Sequence, residues 1–508
     1  MNYNYTTCFA RTSNSPRRQH TGMNGSTAPE GAASDEQSHG HARRGHDPDA
    51  AIADRRTEGP AAAGSDPERA PLPPGPDGVP VLGTLPRFVR DPFAFYDRLF
   101  AYGDVVSYDF GLWNNVTLFH PDDVQRVLVD DADRFRKSHV QRRSGVDFLE
   151  NGLLLTEGEE WREQRTQLQP LFYRERIETF AGAMVEEARE LVDSWDDGEV
   201  VDLVDAYSTL AMRVLGRTLF GVDVHDGDGY EVIRRAATSV QERADAGSVT
   251  AFLPDWVPTP ANRRFARDTD AFREYVDGLV RERRGSDPAD ADDLLTLLVG
   301  LGEGDALSDE AVRDQLMTFL FAGHETTSLA LSYATHALAR RPDIVDDLRA
   351  EAAAAGDLDA AAVRSLDLTD RVVSETLRMY PPAYVLFREP TEDVVVGGYR
   401  IPAGTNISLP IWRLHTDPRW WDDPESFDPS RWLDEDPDRP EHAYLPFGAG
   451  PRHCIGMRFA SLELRATLAT VFREVAFDPV PADAAEPSFE AAATLQPREP
   501  LRVRVSKR

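Results

Sequence analysis

The chain has 508 residues, 41 % of them hydrophobic, enough to bury one large core or two ordinary ones. Asp and Glu number 87 against 56 Lys and Arg, a formal charge of −31 at pH 7 that argues against nucleic-acid binding. No apolar run reaches the length of about eighteen residues that a membrane-spanning helix needs, and the protein is expected in the cytoplasm.

Lysine occurs only at Lys137 and Lys507. An acidic excess with so little lysine is the composition of a protein adapted to a high-salt cytoplasm, such as that of a halophilic archaeon. At about 1 M salt the screening length is only about 3 Å, whereas in dilute buffer the same carboxylates repel one another and destabilise the fold. A melting temperature that climbs as potassium chloride is added is the expected result; a flat response would remove the halophilic reading.

Residues 1–70 are polar, without a sustained apolar period, and are expected to form a disordered tail. Arg17-Arg18 is not followed by the apolar stretch of an export signal. Order is expected from the stiff run Pro71-Leu-Pro-Pro-Gly-Pro76, with one domain over 71–508. Asp91 to Tyr102 has helical spacing, and Asp104 to Phe119 alternates as a pair of short strands does. Helical spacing then recurs over Ile177 to Trp195, Ala206 to Phe220, Asp268 to Arg283 and Ser308 to Arg340. Val394 to Ser408 and Leu495 to Val505 return to strand character. The expected architecture is mainly α with small β-sheets.

Four segments carry chemistry. In the long helix from Ser308, Leu316 to Gly323 is apolar on nearly all sides, yet His324-Glu325-Thr326-Thr327-Ser328 follows at once. A polar cluster there needs partners or a cavity. Gly323 costs about 1 kcal/mol relative to alanine, and Thr326 can bond back to the preceding turn. A locally opened helix beside a pocket is the expectation, with Glu325 and Thr326 able to relay protons. Glu375 and Arg378 share a helix face; as an exposed pair they would contribute ~0–1 kcal/mol, but Arg431 offers a third partner for a buried network. Trp161 and Arg165, at i and i+4, could present an indole N–H and a guanidinium to one anion. Finally, Cys454 sits in Phe447-Gly-Ala-Gly450-Pro-Arg452-His-Cys454-Ile-Gly456, and the other cysteine is the distant Cys8. A zinc knuckle or a CxxC pair is thereby excluded; an inert buried thiol and a single thiolate metal ligand both remain open.

In this order, these segments resemble the cytochrome P450 haem-thiolate monooxygenases. The family's FxxGxRxCxG signature falls on Phe447, Gly450, Arg452, Cys454 and Gly456, and its oxygen-activating AGHETT on Ala322 to Thr327. ExxR falls on Glu375 and Arg378, the later arginine on Arg431, and WxxxR on Trp161 and Arg165. The resemblance covers Pro71 to the C-terminus. It implies a haem b between the long helix and the cysteine loop, with Cys454 as the iron's thiolate ligand. Phe447 would shield the sulfur, Gly450 and Gly456 would let the backbone approach, and Trp161, Arg165, Arg388 and Arg452 would meet the propionates. On the other face Ala322 and Gly323 would leave room for dioxygen, and Thr326 and Glu325 would supply protons. The implied substrate is a small lipophilic molecule, lined by Ser138 to Leu149, Phe252 to Phe265, Phe319 to Thr327, Tyr384 to Leu386 and Thr494-Leu495. The stretch after Cys454 is too short for a reductase, so a separate electron donor is implied, a ferredoxin plus reductase, serving a monomeric enzyme. A haem-thiolate peroxygenase or isomerase and a non-catalytic haem sensor are the alternatives.

Overall fold

The central helix, Asp309–Leu338, organises the fold, and its start is chemically marked: the Ser308 hydroxyl accepts from Ala311 N–H at 3.1 Å. Its 30 residues span about 45 Å at about 1.5 Å per residue. It packs along the helix Leu203–Phe220 and crosses the C-terminal helix Met457–Glu474. Leu316, Leu320 and Leu331 are fully buried in the main core, each such side chain contributing roughly 1.5–3 kcal/mol. In the same seam Tyr207 and Thr335 share a buried hydrogen bond of 2.7 Å between their hydroxyls. The computed structural model describes residues 67–507, apart from 112, 140–150, 223–227, 245–256, 258, 285–292, 301–306, 435 and 481–486. Cys8 and most of the expected tail therefore lie outside the described residues, as do positions 140–149, 252–256 and 258 of the expected pocket lining.

The architecture is mainly helical with small sheets. The largest sheet has five strands, ordered Val105–Phe110, Trp113–Leu118, Asn406–Pro410, Val385–Pro390 and Phe135–Arg136. Only the pairing of Trp113–Leu118 with Asn406–Pro410 is parallel. The last pairing sets Arg136 opposite Glu389, which brings the next residue, Lys137, to the level of Arg388. A three-stranded sheet (Val200–Asp202, Arg502–Lys507, Val475–Pro479) closes the C-terminus, and Phe489–Ala491 pairs with Leu495–Pro497 as a hairpin.

Several boundaries differ from the sequence pattern. The helix expected from Asp268 begins at Pro260, where Thr259 caps Asn262 N–H at 3.0 Å. Its inner face buries Asn262, Asp268 and Thr269, so polar residues interrupt the apolar stripe that periodicity relies on. Ile177 to Trp195 is regular only over Ala181–Ser194. Val394 to Ser408 forms a hairpin that turns at Gly397-Gly398, both at positive φ, and, after 402–405, a strand of the five-stranded sheet. The helix around Gly323 does not open: it is regular from Asp309 to Leu338, and the Thr326 hydroxyl donates to Ala322 C=O at 2.7 Å without breaking it.

Candidate active site

The cysteine loop is a short 3-10 turn, Gly450–Arg452, feeding the helix Met457–Glu474. Gly450 has φ +69°, and a β-carbon there would lie 1.8 Å from Leu128 C=O, so only glycine fits. Gly456 is different: its backbone is ordinary, and a β-carbon would meet Cys454 Sγ at an acceptable 3.9 Å. Cys454 N–H donates to Phe447 C=O at 2.9 Å. Its thiol has exposed surface, yet surrounding protein pushes its pKa up, against the pull of the Gly456 N–H and the nearby Arg165. The N-terminus of an 18-residue helix lies three residues on, a favourable place for negative charge.

Arg165 braces this loop. Its guanidinium donates to His453 C=O at 3.0 Å and lies 3.1 Å from His453 Nε2. The contacts it makes among the described residues are with the cysteine loop. Arg452 bonds Thr156 C=O at 2.9 Å and Glu157 at 2.8 Å, and stacks over the Trp161 ring at 4.3 Å. Beside it lie Arg388 and Lys137, each only 8 % exposed. Burial and then Arg452 bring Arg388 down to about 10. Burial, then Arg388 and Arg452, bring Lys137 down to about 7, with Glu157 opposing. Two buried basic side chains and the half-buried Arg452 thus share one carboxylate, and Lys137 Nζ makes no hydrogen bond among the described residues. Such an imbalance calls for a ligand with negative charge, and the two propionates of a haem seated over the thiol match it. Lys137 was not singled out by any motif.

On the central helix Ala322 is exposed and Thr326 half-buried, although Leu320 and Leu329 on either side are buried. That face of the helix is left partly uncovered. Gly323 does not contribute to it as expected: its missing β-carbon would meet the Leu215 side chain at 3.3 Å, so this glycine serves close packing of two helices. His324 also turns away, bonding Ser208 of the neighbouring helix at 2.9 Å, and burial lowers its pKa to about 4. Glu325 is buried and accepts from the Gln496 amide.

The structure brings Glu375, Arg378 and Arg431 together. Glu375 and Arg378 are fully buried and form a two-pronged pair at 2.8 and 2.9 Å. Arg431 Nε, Trp432 Nε1 and Asp428 N–H each donate to Glu375 at 3.0 Å. A cleft of about 400 Å³ next to this network is lined by Arg341, Asp347, Arg371 and Asp428. It is charged and open and has no thiol, so it is not a site for lipophilic chemistry.

The thiol lies three residues before a helix, in a loop braced by Arg165 and leading back to the Lys137, Arg388 and Arg452 cluster, an arrangement that fits a haem with a thiolate ligand. The comparisons carry this further: residues 73–505 match the Cytochrome P450 family, and the chain belongs to it. It is 34 % identical to cyclooctat-9-en-7-ol 5-monooxygenase of Streptomyces melanosporofaciens over 80 % of this chain and 89 % of that one. Pentalenene oxygenase of Streptomyces avermitilis is 33 % identical over 85 % and 97 %, and protein LUTEIN DEFICIENT 5 of Arabidopsis thaliana 29 % identical over 81 % and 73 %. The protein is a haem-thiolate monooxygenase, an oxidoreductase that inserts one atom of dioxygen into a lipophilic substrate with electrons from a redox partner. No described helix is long and apolar enough to cross a membrane.

Proposed function

We propose that this enzyme hydroxylates cyclic terpenoids, with Cys454 as the thiolate ligand of a non-covalently held haem b. Lys137, Arg388 and Arg452 hold its propionates, a ferredoxin with its reductase supplies the electrons, and the working unit is a cytoplasmic monomer. The observation that carries the haem reading is the largely buried Lys137–Arg388–Arg452 cluster, whose Arg452 belongs to the cysteine loop. The two cysteines, Cys8 and Cys454, are far apart in sequence and form no C-x-x-C-H motif for thioether attachment. The terpenoid reading is supported by the names of the Streptomyces relatives and by the aromatic and aliphatic side chains around the helix face at Phe319, with Phe172 stacked edge-on at 5.2 Å.

When bound, the haem supplies dioxygen activation, to which the thiolate's electron density contributes. The protein's own groups do the rest. Gly456 N–H and Arg165 stabilise negative charge on Cys454. Ala322 keeps the helix face small. Thr326 donates to Ala322 C=O, which leaves its oxygen lone pairs to accept a bond from a water at that face. Glu325 supplies protons through that water. The testing experiment adds pentalenene, a cyclic diterpene alcohol and a fatty acid to the haem-loaded enzyme. A spin-state shift and hydroxylated product with a terpene, given ferredoxin, reductase and NADPH, is expected. Shifts with the fatty acid alone would overturn the substrate class.

A further inference from the structure

We propose that Gln496, on the C-terminal hairpin, is the positioning residue for Glu325, fixing the acid that feeds protons to the active site. The proposal rests on the reading of Glu325 as that acid. The Gln496 amide donates to Glu325 Oε1 and, at 3.2 Å, to the Thr494 hydroxyl. The hairpin that carries it is anchored to the body at several points. Leu495 N–H donates to Pro382 C=O at 2.9 Å, Tyr384 Oη to Ala492 C=O at 3.0 Å, and Tyr333 Oη to Leu495 C=O at 2.7 Å. Tyr333 belongs to the same central helix as Glu325, a little over two turns further on. Phe489 of the facing strand stacks on Tyr333 and Tyr380 at 5.8 and 5.9 Å. The strand is therefore registered against the helix, and the amide's reach to Glu325 is set by backbone bonds on either side of it.

The kind of donor matters. Glu375, Glu389 and Asp417 are buried carboxylates held by arginines. Gln496 presents Glu325 with a neutral amide donor. An amide orients a carboxylate and stabilises its charge modestly without forbidding protonation, which is what a group that gives up and regains a proton needs. No motif of the family resemblance covers Gln496; only the fold brings it to the acid.

The consequence is in the fate of electrons. Coupled turnover consumes dioxygen, substrate R–H, two electrons and two protons, and gives R–OH and water. Without substrate, four electrons and four protons take dioxygen to two waters. When protons are misdelivered, two electrons and two protons instead release hydrogen peroxide. All electrons come from the redox partner.

The test uses full-length, haem-loaded enzyme without substrate, fed by ferredoxin, its reductase and NADPH. Gln496→Met keeps the side-chain length and removes the donor. Peroxide released per NADPH should rise roughly two- to tenfold, the loss of one hydrogen bond. Glu325→Gln should raise it at least as much, and the double variant no further, because Gln496 acts through Glu325. In infrared spectra the carboxylate band that vanishes in Glu325→Gln should shift in Gln496→Met, while the reduced carbon monoxide spectrum stays unchanged. If Glu325→Gln raises peroxide but Gln496→Met neither raises it nor moves the band, Gln496 is not the positioning residue and the reading of Glu325 stands. If Glu325→Gln itself leaves peroxide unchanged, both fall.

Discussion

Cys454→Ser is expected to remove the thiolate absorption signature of the reduced, carbon monoxide-bound enzyme and to abolish turnover, with little change in fold stability. The two halves of this expectation have separate causes. The thiol belongs to no described disulfide, and its side chain has exposed surface, while the loop is held by backbone and neighbours. Those are Cys454 N–H to Phe447 C=O, His453 N–H to Gly450 C=O at 3.1 Å, and Arg165 on His453. Serine keeps all of these, so unfolding in urea should move by no more than about 0.5 kcal/mol, as for surface changes generally. The chemistry, by contrast, depends on sulfur ionising. A thiol titrates near 8.5 in water; burial here raises it, and Gly456 N–H and Arg165 oppose the rise. An alcohol is many units harder to ionise, and the same two groups cannot make it an anionic ligand. Haem should still associate with the variant, because Lys137, Arg388 and Arg452 are untouched. A variant that kept the thiolate spectrum would show that another residue ligates the iron.

The Glu375–Arg378 pair with Arg431 was readable from the sequence, because Glu375 and Arg378 share a helix face and Arg431 lies in a short local pattern. The central helix was readable to within two residues at its end, since Ser308 caps it and a long apolar stretch leaves few alternatives. What stayed hidden depends on pairing across long sequence separations. Lys137 is one of two lysines in the chain, a compositional oddity, but nothing local says that Phe135–Arg136 pairs with Val385–Pro390 and so carries it to Arg388. Gln496 reaches Glu325 from 171 residues away. Gly323 was misread for a related reason: which side of a helix a missing β-carbon faces depends on the neighbour, here Leu215. The Pro260 start was missed because buried Asn262 and Asp268 look like surface residues to a hydrophobicity pattern.

Arg378→Leu is expected to cost about 3–5 kcal/mol of stability, the range for breaking a buried ion pair by removing one partner, and to lower haem content in cells. The reason is geometric as much as electrostatic. Arg378 is fully buried, and besides the two bonds to Glu375 it donates to His415 C=O at 3.0 Å, Pro424 C=O at 2.8 Å and Ser426 C=O at 3.3 Å. It therefore fastens the segment 415–426 to the helix Asp367–Met379, with Trp421 beneath it at 5.3 Å. His415 in turn accepts Leu445 N–H at 2.9 Å, two residues before Phe447 opens the cysteine loop. Leucine strands the Glu375 carboxylate with Arg431 as its remaining cation and removes the Arg378 donor from three carbonyls, of which Ser426 C=O keeps Arg431 at 3.2 Å. Arg378→Lys keeps the charge but not the planar fork, and should recover only part of the loss. The Glu375→Leu/Arg378→Leu double variant should be less destabilised than the two single losses added together, because it removes the uncompensated charge along with its partner. Urea midpoints of the three variants, read beside haem absorbance, decide the matter. A shift under about 1 kcal/mol for Arg378→Leu would place the pair among ordinary surface contacts and leave the position of the cysteine loop to be explained by its own turn alone.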